Sequence, residues 1–372
     1  MRNLIIVMIV SVFLAYCSQY NGIGVCKSGE KQRWDIYLII LIIIMSLFIG
    51  LRTSYNDTTA YIRSFNRSET IQLFLSNPEN LDIFHNPLYY AIVSLFRTFT
   101  DNYHIYFMAF AFFNTTLFVR FIQRYTVDGY FPFAIFLFFA FGTFTFSMAA
   151  MKQVTAMAIL TLALNALIEK KYYKYYFIVI IAILIHTYAI GYLILPLFYT
   201  NVWNYRGTLL LLGTLTIMMT FQSSISSLLE IADSAGKTVT SGEVFDGKRM
   251  NVFRVAVYAV IPLLTFLFKH KLSSRMSDHY KLFGNMSIIS LMFMLLALMN
   301  GANMFGRFAN YFVLGSICIL PRIIVELFQL QSAKVIKFIA IVCFSIFFVY
   351  ENLNFDETYQ TMSLIEFIDT LF

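Results

Sequence analysis

Ile36-Tyr37-Leu38-Ile39-Ile40-Leu41-Ile42-Ile43-Ile44-Met45-Ser46-Leu47-Phe48-Ile49 runs directly into Gly50-Leu51-Arg52-Thr53-Ser54-Tyr55-Asn56-Asp57-Thr58-Thr59-Ala60-Tyr61. The first half is an uninterrupted apolar run of the kind that forms a membrane helix. The second half places a cation, an acid and a phenol where that helix leaves the bilayer. Two readings stand side by side. Arg52 and Tyr61 serve as an interfacial anchor beside an ordinary solvated Asp57, or the three together handle a charged, lipid-linked substrate.

The rest of the chain repeats the first half of this pattern. Of its 372 residues, 59% are hydrophobic and only 13% are charged. A soluble core of this length does not need so much apolar surface. Apolar runs of near-spanning length recur from end to end, and the ten-residue alternation of a membrane barrel is missing. The expectation is an all-α polytopic membrane protein of 11–13 transmembrane or re-entrant helices, in one transmembrane domain covering residues 1–372, with longer external loops at 51–86 and 222–250. Lys+Arg 27 against Asp+Glu 20 gives a formal charge of +7. The excess sits mostly in short loops, so it reads as topology signal rather than as a nucleic-acid footprint. Cys17, Cys26, Cys318 and Cys343 show neither a CxxC nor a metal spacing and are read as free thiols.

Counting outward and inward crossings orients the chain. Arg2 and the apolar run 4–15 resemble a signal peptide, and Leu14-Ala15-Tyr16-Cys17 loosely resembles a lipoprotein cleavage site. Tyr16 is too large for that site, so a retained first span is expected. Lys27, Lys31 and Arg33 mark an inside loop, and the run 35–49 returns outward, placing Arg52 and Asp57 outside. Residues 88–99 are too short to cross, which leaves Arg97 outside. Spans are expected next at 103–119, 132–148 and 154–168. The run 177–199 contains His186 and Pro196. Two half-length helices meeting at His186 restore the positive-inside pattern, and broken helices at membrane depth are tolerated where they line a cavity. Further spans are expected at 208–221, 252–268, 282–299, 308–327 and 335–349. The basic stretch 269–281 is placed inside and both termini outside.

The charged groups near the outer face are then Arg52, Asp57, Arg97, Lys152 and Arg307, with His186 deeper. Arg52 and Arg307 could equally snorkel at helix ends, Lys152 could anchor a helix start, and His186 could be a satisfied core histidine. An ionisable residue inside the membrane is nevertheless a functional candidate by default. Cations gathered against one acid and one histidine suit an anionic phosphate ligand. Walker, GxGxxG, HExxH and GxSxG motifs are absent, and nothing demands a nucleotide, a metal or another cofactor.

These residues resemble a family, the EpsG-like branch of Wzy-type bacterial surface-polysaccharide polymerases. The pieces that carry the resemblance are Gly50-Leu51-Arg52 with Asn56-Asp57-Thr58 and Tyr61; Asn86-Pro87-Leu88-Tyr89-Tyr90 with Asp101-Asn102-Tyr103; Lys152-Gln153 with Ala156 and Lys170-Lys171-Tyr172; His186; and Arg307-Phe308 with Tyr311. The chain departs from the family pattern at Tyr55, where Gly is frequent, at Asn86, where Asp is frequent, and at Lys152, where Arg is usual. Lys keeps the charge but loses the bidentate fork.

The resemblance implies a glycosyltransferase that joins oligosaccharide repeat units, carried on undecaprenyl pyrophosphate, into capsule, O-antigen or exopolysaccharide. The reaction would take place at the outer face of the bacterial plasma membrane, with the pathway's flippase and chain-length regulator as further partners. Arg52 and Arg307 would stabilise the leaving pyrophosphate, with Lys152 and Arg97 behind them. His186 or Asp57 would take or orient the acceptor proton. Gln153, Tyr61 and Tyr311 would complete the substrate site. The competing classes are a flippase for the same lipid-linked units, a membrane acyltransferase and a lipid-linked-sugar transferase of similar helical build. A flippase should show internal repeats, which are not seen.

Overall fold

A computed structural model describes residues 1–21, 34–220 and 247–371. The expected loop 222–250 falls almost wholly outside these residues, as do Cys26, Lys27, Lys31 and Arg33. The protein is an all-α polytopic membrane protein. Among the described residues, six helices are long and apolar enough to cross a bilayer, and two bent helix pairs pass the same test. Shorter apolar helices cover Ile36–Gly50, Tyr172–Ile185, Thr187–Phe198 and Tyr205–Met219. Cys17, Cys318 and Cys343 are free thiols.

The chain divides into two compact units, Met1–Leu193 with Ile341–Phe372, and Ile194–Ala340. The first unit opens with α1 (Arg2–Asn21) and α2 (Ile36–Gly50). Asp35 starts α2 by accepting from the Leu38 N–H at 2.9 Å, and it also accepts from the Ser18 hydroxyl at 2.6 Å, which ties the two helices together. A short strand β1 (Arg52–Ser54) comes next. Then come α3 (Thr58–Arg67), α4 (Ile71–Ser76), 3-10 turns at Pro78–Leu81 and Ile83–His85, and α5 (Pro87–Phe99). The polar stretch expected as a loop is thus largely helical. Helix α3 is short but amphipathic, and it buries Thr58, Tyr61 and Phe65 on one face.

Helix α6 (Tyr103–Tyr125), capped by Asn102 onto the His104 N–H, packs on α2. The contact is close because residue 50 is glycine. A Cβ there would stand 2.7 Å from Met108 Sδ and 3.1 Å from Met108 Cα. The span expected at 132–148 is instead α7 (Phe131–Ala140) and α8 (Thr143–Ala149), bent by 48°. Gly142, at φ 73°, supplies the left-handed residue that the bend requires. Helix α9 (Met151–Ile168) pairs with α10 (Tyr172–Ile185).

Helix α10 ends at Ile185, and His186 is extended (φ −153°, ψ 114°), so the chain breaks at the expected residue. The segment after the break, Thr187–Phe198, is a 3-10 helix rather than a second α-helix. Pro196 inside it lacks the N–H that an α-helical ladder needs. The C-terminal tail returns to the start of the unit, a pairing that nothing in the sequence announces. Strand β2 (Gln360–Thr361) pairs antiparallel with β1, setting Arg52 opposite Thr361. Tyr359 donates from its hydroxyl to Phe48 O at 2.7 Å.

In the second unit, helices Asp278–Met299 and Ala302–Leu327 form the tightest pair. A Cβ at Gly315 would meet Met286 Cβ at 2.6 Å and Phe283 O at 2.7 Å, so only glycine allows this approach. Ser290 donates to Ala309 O across the same seam at 2.9 Å. Helix Val252–Leu267 turns by 80° into Lys269–Arg275, the basic stretch. Lys271 and Arg275 there donate to Leu327 O and Glu326 O, the last carbonyls of the neighbouring helix.

Candidate functional site

Arg52 is the largest fully buried side chain among the described residues, with no exposed surface. It comes directly after the end of α2, and its guanidinium turns back toward that helix. Nη1 donates to Ile49 O at 2.7 Å, and Nε donates to Thr58 Oγ1 at 3.2 Å. Nη2 lies 3.7 Å from Met151 Sδ, and the Cζ atom sits 4.4 Å above the Phe107 ring. None of these partners is an anion. Burial lowers the pKa to about 10, so the group remains charged at neutral pH. A buried cation matched only by neutral acceptors and a ring face is costly to hold. Such a cost is tolerated where a ligand supplies the missing negative charge.

Phe107, Asn114, Ser147 and Met151 close around Arg52 and leave no water-sized space beside it. Asn114 donates from Nδ2 to Thr155 Oγ1 at 3.1 Å, while its buried Oδ1 meets no hydrogen-bond donor. Asn114 is a neighbour of Arg52 that the motifs do not contain. The only signal for it in the sequence is a carboxamide in the middle of an apolar helix.

Lys152 comes next to Met151 at the start of α9. Its backbone N–H points to the Tyr61 hydroxyl at 3.4 Å. Its ammonium donates to the Tyr90 hydroxyl at 3.1 Å and lies 4.9 Å and 5.5 Å from the ring centroids of Tyr90 and Tyr89. Tyr89 in turn hydrogen-bonds through its hydroxyl to Tyr106, whose ring stacks on Phe65. The structure therefore brings Arg52, Tyr61 and Lys152 together inside one aromatic cluster built by α3, α5, α6 and α9. Tyr89, Tyr90 and Tyr106 are additions to the expected site. Tyr89 and Tyr90 do stand in the Asn-Pro-Leu-Tyr-Tyr motif, whereas Tyr106 carries no signal in the sequence.

His186 is half-buried at the break after α10, and its ring meets Tyr188 edge-on at 5.0 Å. The next residue, Thr187, donates its N–H to Asn86 Oδ1 at 3.1 Å. Asn86 has a left-handed backbone (φ 57°), which Asn tolerates, and it leads into α5 through Pro87 at the first helical position. The break beside His186 is thus pinned to the helix whose Tyr90 holds Lys152.

The other expected residues divide. Asp57 is exposed at the start of α3, one residue from the Thr58 that receives Arg52. Arg97 forms an ion pair with Asp101, one turn later on the chain, and its guanidinium lies 5.8 Å from the Phe65 ring. Gln153 is buried, with Nε2 4.0 Å from Met157 Sδ. Arg307 and Tyr311 belong to the second unit. Arg307 donates from Nε to Asn303 Oδ1 at 3.0 Å, and Tyr311 is buried. No group of three His, Cys, Asp or Glu side chains that could hold a metal occurs among the described residues.

Comparison with known proteins gives one match. The model of the EpsG family matches residues 35–366, nearly the whole chain, and the protein belongs to that family. Membership points to a membrane protein of the polysaccharide-polymerase type. No curated protein and no solved structure matches.

Proposed function

We propose that this EpsG-family protein is a glycosyltransferase that joins oligosaccharide repeat units carried on undecaprenyl pyrophosphate. The products would be capsule, O-antigen or exopolysaccharide, and the reaction would run at the outer face of the bacterial plasma membrane. One observation carries the reading. Arg52 is a fully buried guanidinium with no anionic partner among the described residues, beside the ring-held ammonium of Lys152. The pyrophosphate of a lipid-linked sugar has the charge that this pair lacks, and a planar guanidinium can bind it bidentately.

In the proposed step, the acceptor hydroxyl oxygen forms a bond to the anomeric carbon of the growing chain. The bond from that carbon to the pyrophosphate oxygen breaks, and its electron pair leaves on the pyrophosphate. Arg52 and Lys152 stabilise the charge that develops there. The hydroxyl proton passes to a base, for which His186 at the helix break is the first choice and the exposed Asp57 the second. Arg307 lies in the other unit, and the proposal rests on Arg52 and Lys152 without it.

The lipid-linked products of a deletion strain test the reading. Single capped repeat units are expected, with polymer restored by the wild-type chain. Loss of all outward-facing units would instead identify a flippase.

A further inference from the structure

A second feature of the first unit is a solvent-open groove of about 560 Å³, formed between α3, the 3-10 turns and α5. That volume lies within the ~300–1,000 Å³ of small-molecule sites. Arg67, Glu69, Glu79, Asn80, His85 and Tyr90 contribute to its lining. One guanidinium, Arg67, stands against two carboxylates, Glu69 and Glu79, so the groove does not select an anion. It presents a mixture of donors and acceptors beside an aromatic ring, the chemistry that reads hydroxyl groups.

Some of these groups are fixed in advance. His85 Nδ1 lies 2.7 Å from Asp82 Oδ2. The Phe84 N–H donates to the other Asp82 oxygen at 2.9 Å, and that bond together with His85 holds the carboxylate below its usual range. With Nδ1 engaged by Asp82, the other ring nitrogen of His85, Nε2, is left for a further hydrogen bond. Asn80 donates from Nδ2 to Phe74 O at 3.1 Å, which leaves its Oδ1 as an acceptor. Tyr90 belongs both to the groove and to the Lys152 contact. A sugar lying in the groove against Tyr90 therefore has one end near Lys152, one of the two cations that hold the pyrophosphate on the polymerase reading.

We propose that this groove binds the acceptor oligosaccharide through its hydroxyl groups, with His85 positioned by Asp82 and with Glu79 as hydrogen-bonding residues. The proposal rests on the polymerase reading for the identity of the sugar.

The test uses the full-length protein in detergent. The probe is a set of oligosaccharides of one or two repeat units, cut by mild acid from the parent strain's own polymer. These carry neither lipid nor pyrophosphate, and saturation-transfer NMR reads their binding. Wild-type protein should bind them. His85→Ala and Glu79→Gln should each weaken binding by about tenfold, the weight of one lost hydrogen bond to a charged or oriented group. Arg52→Met should bind them as wild type does.

In the polymerisation assay the same groove changes should raise the acceptor KM while largely sparing kcat. Both side chains are exposed, so the variants should keep the wild-type elution profile. His85→Gln serves as the second variant if His85→Ala does not. Fragments that bind both groove variants as tightly as wild type, or that fail to bind wild type, would overturn the proposal. Failure of the polymerase reading shows separately, as loss of all outward-facing repeat units in the deletion strain, and the fragment titration still decides the groove.

Discussion

Replacing Arg52 by Met separates a cation kept for a ligand from a cation kept for the fold. In the structure the guanidinium donates to Thr58 Oγ1 and to Ile49 O and lies over the Phe107 ring. Hydrogen bonds from a charged donor are worth roughly 1.5–3 kcal/mol each, and a desolvated cation–π contact is worth about 2 kcal/mol. The change therefore forfeits on the order of 5–8 kcal/mol of local interaction. It also removes the penalty of burying an uncompensated charge, which is several kcal/mol per ion. Thr58 is not orphaned, because its hydroxyl also donates to Tyr55 O at 2.6 Å. Met is apolar, flexible and similar in length, and it can pack beside Met151 and Phe107. The two sums nearly cancel, so folding stability should change by no more than about 2 kcal/mol in either direction, while polymer is lost. Thermal unfolding of the purified variant and a gel of polymer from a complemented deletion strain give the two readings. A stability loss above about 4 kcal/mol would make Arg52 a structural cation. Normal polymer from a stable variant would remove it from the mechanism.

His186→Gln should lower the polymerisation rate by about 10²–10⁴-fold, the usual contribution of a general base, with the protein still folded. A near-normal rate would pass the role to Asp57. A cysteine placed at Ser274, exposed in the basic helix Lys269–Arg275, should resist a membrane-impermeant thiol reagent applied to intact cells; labelling there would reverse the assigned orientation. Gly315→Ala should destabilise the protein by about 1–3 kcal/mol through overpacking, since the new methyl meets Phe283 O and Met286 Cβ. An unchanged thermal midpoint would mean that the two helices part without cost.

Membrane helices, the short α5 and the break at His186 are all legible in the sequence because each leaves a one-dimensional trace. Apolar length gives the spans, the 13 residues of α5 are too few to cross, and a basic loop on the wrong side exposes the broken helix. The bend at Gly142 leaves no such trace, since a lone glycine in an apolar run also fits a straight helix. The pairing of Arg52 with Thr361 is illegible for a different reason. Those residues are far apart in sequence, and a two-residue strand has no periodicity to read. The burial of Arg52 is hidden in the same way. A cation after a membrane helix usually snorkels. Only the fold shows α3 and α9 closing over this one, with Thr58 and Met151 as its neighbours in place of bulk solvent.

The surroundings of Lys152 suit a lysine. Lys provides a compact charge with three donors and no planar fork. In this protein that charge meets two ring faces and one phenol. A point charge is satisfied by such a cage without directional pairing, and a guanidinium is not needed to fill it. Arg52, one contact away through Met151, keeps the planar fork. On the proposed reading the two cations divide the work. Arg52 fixes the orientation of the pyrophosphate by directed bonds, and Lys152 tracks the charge as it moves onto the leaving oxygen. On that division, Arg52→Lys should restore only part of the polymer that Arg52→Met loses.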